Sequence, residues 1–325
     1  AVFSRRCIDD FVVTFTPSAK EKIMTPAICC IGHITVDSII TPQRTVTMPG
    51  GTAFYFSKAI ARMPVSYLLV TAVAPSEMQV VEDLRSTGLA VRVLPSLSSV
   101  HFENKYGENQ DQRTQRVLQK AAPFTTAGLR DVTAGIFHLG PLLADDFSTT
   151  DIEALTAKGK LSLDVQGFLR KVENQQVLAT DWEAKLDVLP LLHFLKASEE
   201  EMEVLTGTRD VQAGAKRLAD WGAKEVIITL GSRGSVVYAG GSFYTIPAYK
   251  PQRVQDATGC GDTYMSGYLF QRSKGAAIQQ AGEFAAAMAT LKIGKSGPFT
   301  GTEEEVTAVV VKNIVSENSQ AFSSA

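Results

Sequence analysis

The chain has 325 residues, 45% of them hydrophobic and 20% charged, the composition of a globular protein long enough for one large α/β domain or two ordinary ones. Its 32 Lys and Arg against 34 Asp and Glu leave a formal net charge of −2, and without any basic run this argues against nucleic-acid and anionic-membrane partners. No apolar run approaches the ~18 residues of a spanning helix, and Asp9 and Asp10 stand where a secretion signal would need an apolar core.

Residues 1–23 lack a clear period and are expected to form a poorly ordered extension, with the folded domain running from 24 to 325. Ala27 to Gly32 is a continuous apolar run ending in glycine, as expected of a buried parallel strand. Asp37 follows five residues later, at the end of the strand where open α/β sheets bind ligands. Thr41 to Met48 is β-prone, Pro49-Gly50-Gly51 breaks the chain, and Ala53 to Arg62 is helical. Next come a strand over Tyr67 to Ala72 and a helix opened by a Ser76/Gln79 capping box and ended by Gly88.

Val100 to Tyr106 and Arg113 to Gln119 are two strands joined by a polar turn. Beyond Pro123, strands at Gly135 to Leu139, Leu161 to Val165, Leu191 to Lys196 and Glu225 to Leu230 alternate with helices, one of them capped by Asp210 and stopped at Gly222. Such alternation predicts a mostly parallel sheet with helices on both faces. Ala276 to Leu291 is a small-residue helix, and a Thr302/Glu305 capping box opens a last helix to about Ile314, followed by a frayed tail from Ser316. The four cysteines, Cys7, Cys29, Cys30 and Cys260, lack Cys-x-x-Cys spacing, and an adjacent pair in a strand makes a poor disulfide, so a cytoplasmic location is expected.

The stretch richest in chemistry is Asp256-Ala-Thr-Gly-Cys-Gly-Asp262, which runs into a segment with Met265, Tyr268 and Leu269 on one helix face. Asp262 then falls in the first helical turn, and the amides of Gly259, Cys260 and Gly261 form an anion site at a helix N-terminus. A carboxylate beside such a site suits a general base for a nucleophile that attacks the anion; a plain helix cap is the structural alternative. Thr229, Gly231 and Gly234 form a second glycine turn after a strand, either a phosphate cradle or a hairpin. Gly294-Lys295-Ser296 is no P-loop, because Ala289 stands where the first glycine is needed and Gly297-Pro298 cannot start a helix.

Asp256, Thr258, Gly259, Gly261, Asp262 and Gly267 together resemble the C-terminal signature of the ribokinase-like, PfkB-type carbohydrate kinases. The resemblance implies a ribokinase-like α/β fold with a small β-lid, formed from about 38–50 and 99–120 and able to join a homodimer. It implies ATP and Mg²⁺, with Thr229, Gly231, Gly234 and Thr258 along the nucleotide, the loop at 292–298 against the purine, and Glu201 linked to the metal. Ser198 stands where relatives have Asn in that metal element.

Asp256 is placed beside a monovalent cation, K⁺, and Asp37, Gly50 and Gly51 against the acceptor. Tyr55 replaces a sugar-binding Asn, and Gln166 and Arg170 are further candidate contacts. The expected activity is ATP-dependent phosphorylation of a hydroxyl on a small sugar or polyol, with Asp262 as base and the 259–261 amides as anion hole. An inositol or nucleoside kinase is the near alternative, and a catalytically silent carbohydrate sensor the distant one.

Overall fold

The computed structural model describes residues 25–106 and 113–323; the expected extension at 1–23, with Cys7, lies outside the described residues. In chain order the first half comprises β1 (Ile28–Gly32), β2 (Thr35–Ile40), β3 (Thr45–Gly50), α1 (Thr52–Ile60), β4 (Tyr67–Val73), α2 (Met78–Ser86), β5 (Ala90–Pro95), β6 (Val100–Tyr106), β7 (Arg113–Gln119) and β8 (Ile136–Gly140). Then follow α3 (Thr149–Thr156), β9 (Lys160–Asp164), β10 (Arg170–Glu173), β11 (Gln176–Ala179), α4 (Lys185–Val188), β12 (Leu192–Ser198), α5 (Glu199–Thr206) and α6 (Val211–Asp220). The chain closes with β13 (Glu225–Thr229), β14 (Ser235–Ala239), β15 (Ser242–Ile246), α7 (Cys260–Ser273), α8 (Ile278–Ile293) and α9 (Glu303–Ser323).

Nine strands form one sheet in the order β15-β14-β13-β12-β9-β8-β1-β4-β5. Its pairs from β13 to β5 are parallel, and β14 and β15 close the other edge antiparallel. The apolar runs are continuous because both faces are covered. In β1, Ile28 and Cys30 enter the core beneath α1, α7 and α8, while Cys29 and Ile31 enter the core on the other face. Side chains alternate across a strand, so the two adjacent thiols face apart and both are free.

A second sheet has the order β10-β11-β7-β6-β2-β3. The β6–β7 hairpin has its expected bounds. The β-prone stretch Thr41 to Met48 holds β3 from Thr45 on, and β2, which lies before that stretch and was not expected, pairs with it antiparallel with Asp37 opposite Met48. β2 was masked in the sequence because it follows β1 after only two residues, so no turn signature separates them. The β10–β11 hairpin was not anticipated either; its Asn174 and Gln175 adopt positive φ (49° and 67°) in place of a recognisable glycine turn.

Two helix ends also differ from expectation. Ser76 lies inside a 3-10 turn, Pro75–Glu77, and makes no cap to α2; Gln79 instead donates to Asp83 one turn on. The last helix runs to Ser323, past the expected end at Ile314, since no glycine or proline interrupts it. The Asp210 cap, the Gly222 stop (φ 118°) and the Thr302/Glu305 box are as expected.

Candidate active site

The loop before α7 is shaped by its own residues. Asp256 Oδ1 accepts from Thr258 N at 2.9 Å, and Gly259 caps the helix with φ 74°, in the left-handed region that favours glycine. A Cβ at Gly259 would also lie 2.3 Å from the Tyr55 ring, so that ring packs flat on the glycine. From Thr263 to Phe270 every residue of α7 is buried, which fixes its N-terminus against the sheet. Close approach to α8 depends on small residues: a Cβ at Gly267 would come within 3.2 Å of Ala285 Cα.

Asp262 falls in the first turn of α7 as expected. Of the three amides expected to form the anion site, that of Cys260 is committed to Ala257 O at 3.1 Å, whereas those of Gly259 and Gly261 make no backbone bond among the described residues. The Cys260 thiol is raised to about 11, first by burial, and is not an activated nucleophile.

Asp262 is half-buried among charged neighbours. Its carboxyl is raised to about 6, first by burial and then by Asp164, against the opposing pull of Lys196, a hydrogen bond from Thr52 and the charge of Arg170. Thr52 is the first residue of α1, directly after Gly51. The N-termini of α1 and α7 therefore meet at this carboxylate.

Beneath it lies a buried charge cluster that sequence reading did not single out. Lys196 Nζ donates to Asp164 Oδ2 at 2.9 Å and lies 3.8 Å from Glu201 Oε2. Against the downward push of burial, Asp164 and Glu201 keep the lysine above its ordinary range, so it is charged. A Cβ at Gly261 would stand 3.4 Å from the ammonium, which places it under the amide cradle. The available signal was a lone charge closing each of two apolar strands, Asp164 after Leu161-Ser-Leu163 and Lys196 after Leu192-His-Phe-Leu195. Two opposite charges at neighbouring buried strand ends require one another.

Among the residues expected against the acceptor, Asp37 accepts from Thr35 at Oδ1 over 2.7 Å. Gly50 closes on the same carboxylate, since a Cβ there would fall 2.2 Å from Asp37 Oδ2. Gly51 has φ 86°, and a Cβ would meet His33 O at 2.6 Å. Tyr55 is 4% exposed, and its phenol is pushed up by burial and by the nearby Asp256, Asp37 and Asp262. Gln166 is half-buried in the 3-10 turn that follows Asp164, and Arg170 opens β10 with its charge felt by both Asp262 and Glu201. Gly50→Ala is expected to raise the acceptor KM about tenfold or more, the equivalent of one charged hydrogen bond, with the donor KM unmoved; steady-state kinetics with each substrate varied decides it.

Among the residues expected along the nucleotide, Thr229 ends β13 and donates to Ala197 O at 3.5 Å. Gly231 (φ 58°) opens a turn into free space, while Gly234 (φ 91°) is required by packing, because a Cβ would lie 2.1 Å from Ile246 O. The segment is thus the turn of a hairpin, with β13 and β14 paired antiparallel across it and Gly231 facing open space. Ser235 ties it to α7 through a 2.7 Å bond with the Tyr264 hydroxyl. Thr258 is exposed on the loop, and Lys295 is a surface lysine.

Glu201, expected near the metal, closes a capping box with Ser198, its Oε2 accepting from Ser198 N at 2.7 Å. Among the described residues no three His, Cys, Asp or Glu side chains gather into a cage. That donor set suits a Mg²⁺ carried by donor phosphates and water with one carboxylate nearby. A K⁺ beside Asp256 does not fit, because Lys292 Nζ takes the Asp256 carbonyl oxygen at 2.7 Å and its Oδ2 at 3.2 Å.

A nine-stranded α/β sheet with a carboxylate and two free amides at one helix N-terminus is the framework of a phosphotransferase that acts on an alcohol group. The chain belongs to the pfkB family carbohydrate kinases, whose family model matches residues 25–305. It is 28% identical to a cytidine kinase of Thermococcus kodakarensis over 263 residues, covering 77% of this chain and 90% of the relative. A pyrophosphate-dependent kinase in the ribokinase family, complexed with a pyrophosphate analogue and myo-inositol, matches with TM-score 0.77 and 29% identity over 86% of this chain and 99% of that one. Arabidopsis thaliana ribokinase, complexed with ribose and ATP, shares the fold at TM-score 0.74 and 19% identity, over 88% and 99% of the two chains. The protein is thus a kinase of the sugar and nucleoside type. Among the described residues no helix is long and apolar enough to cross a membrane.

Proposed function

We propose that this kinase transfers the terminal phosphoryl group of ATP to a hydroxyl of a small sugar or cyclitol, with Asp262 as general base. The observation that supports this most is the placement of a carboxyl raised to about 6 beside the unbonded amides of Gly259 and Gly261. A base of that strength is ionised at neutral pH yet accepts a proton readily. Asp37 holds acceptor hydroxyls, and Gln166, in the turn after β9, and Arg170, at the start of β10, close on the acceptor. The two amides and the Lys196 ammonium meet the charge on the transferring group. Glu201 would orient water on a Mg²⁺ that, if bound with the donor, would supply charge neutralisation at the phosphate oxygens.

A second reading of the donor has a specific observation behind it. The loop expected against the purine, together with Phe299 and Glu305, encloses a cavity of only about 30 Å³, whereas ligand pockets commonly span about 300–1,000 Å³. Pyrophosphate needs no base pocket, and a structural neighbour at 29% identity uses it. A coupled assay crossing ATP and pyrophosphate with ribose, fructose, myo-inositol, cytidine and adenosine is expected to give its highest kcat/KM with ATP and a sugar or inositol. A clear preference for pyrophosphate selects the second reading, and background rates across the whole set overturn both.

A further inference from the structure

The Lys292 side chain is fully enclosed, although it is the one lysine of α8 and lies in that helix's final turn, where a lysine commonly reaches water. Its ammonium donates to the Asp256 carbonyl at 2.7 Å and stands 3.2 Å from Asp256 Oδ2, with the side chain 0% exposed. The other faces of Asp256 are bonded too: Oδ1 accepts from Thr258 N at 2.9 Å and Oδ2 from Gly297 N at 3.2 Å. The backbone repeats the link, since Gln255 N and Asp256 N both donate to Ile293 O. A single positive charge therefore joins the end of α8 to the loop that leads through Gly259 to Asp262.

A carbonyl oxygen and a carboxylate oxygen converging on one buried charge are the ligands a hard monovalent cation takes. Here the charge is covalently attached. A separate cation beside it would bring like charges together in a poorly solvated site. Asp256 answers to the lysine: against the upward push of burial, Thr258 and the Lys292 ammonium hold its carboxyl below the usual range.

We infer that Lys292 serves as a built-in monovalent cation for the 256–262 loop, a positioning residue that makes the enzyme independent of K⁺. The inference rests on the reading of that loop as catalytic, but melting temperature tests the cation site without any turnover.

For the wild-type protein, replacing K⁺ by tetramethylammonium at matched ionic strength should leave both kcat and Tm unchanged. Lys292→Ala removes the charge and opens room for an ion. It should lose on the order of 10²-fold in kcat in tetramethylammonium, the scale of a misplaced catalytic group. Added K⁺ or NH₄⁺ should recover most of that loss and raise the variant's Tm, with no such rise in Lys292→Met, whose side chain fills the space. Loss that neither ion relieves in kcat or Tm reduces Lys292 to packing and overturns the inference. So does several-fold activation of the wild type by K⁺. Should Lys292→Ala fail to fold in either salt, the wild-type comparison and Lys292→Met still decide it. If kinase activity is absent altogether, K⁺-dependent melting of Lys292→Ala alone sustains the cation site.

Discussion

Asp262→Asn is expected to lower kcat by about 10²- to 10⁴-fold, the usual worth of a general base, while donor affinity measured by calorimetry stays within about twofold. The asparagine keeps the shape and the Thr52 contact but cannot take the acceptor's proton. In the wild type, kcat/KM should fall with one proton as the pH drops below about 6, where the carboxyl becomes protonated; the variant's residual rate should lack that limb. Turnover within a few-fold of wild type would remove Asp262 from the role.

The same substitution should move stability the other way. The carboxyl binds its proton more tightly when folded (about 6) than at its ordinary 3.8, so its stabilising contribution is full below pH 3.8 and is lost as the pH rises through 6. At neutral pH the ionised group is a net cost. A rise of that size corresponds to at most about 3 kcal/mol, and to less here because the residue still meets solvent. Asp262→Asn should therefore melt a few degrees higher than wild type at neutral pH, a difference that vanishes near pH 4. An active residue whose removal stabilises the fold is one held against its own preference.

The layout of the large sheet was legible because parallel strands covered on both faces must be apolar throughout, and Ala27 to Gly32 and Glu225 to Leu230 carry no competing helical period. The small sheet was half legible. β6 alternates buried and less buried positions and β7 is bounded by the polar turn between them, whereas β2 is joined to β1 without a turn and β10 and β11 are four residues each, too short for a pattern. At the site, Asp262 and Gly259 could be read because the helix N-terminus concentrates their reasons locally: a left-handed cap, free amides and a first-turn carboxylate. The packing of the Tyr55 ring on Gly259 was not legible, since nothing local to either residue says that they meet. Thr52, Asp164 and Lys196 act through partners 32 or more residues away in the chain, so only the sheet order brings them together.

Lys196 carries the other large expected effect. Lys196→Met should lower kcat by about 10²- to 10³-fold, the scale of a lost charge-stabilising donor. It should also cost about 3–5 kcal/mol of stability, because Asp164 is left buried without its counter-charge. The stability loss alone would not separate a catalytic charge from a structural one. The double variant Lys196→Met/Asp164→Asn does so, since neither charge remains and the stability cost should largely disappear. The pH profile supplies an independent sign. Lys196 lowers the Asp262 carboxyl and Asp164 raises it, so the acidic limb should move up in Lys196→Met and return toward 6 in the double variant. If the ammonium under Gly261 meets phosphoryl charge directly, kcat stays low in the double variant even as Tm and the limb recover. Recovery of kcat together with Tm would instead mean that the lysine only neutralises Asp164.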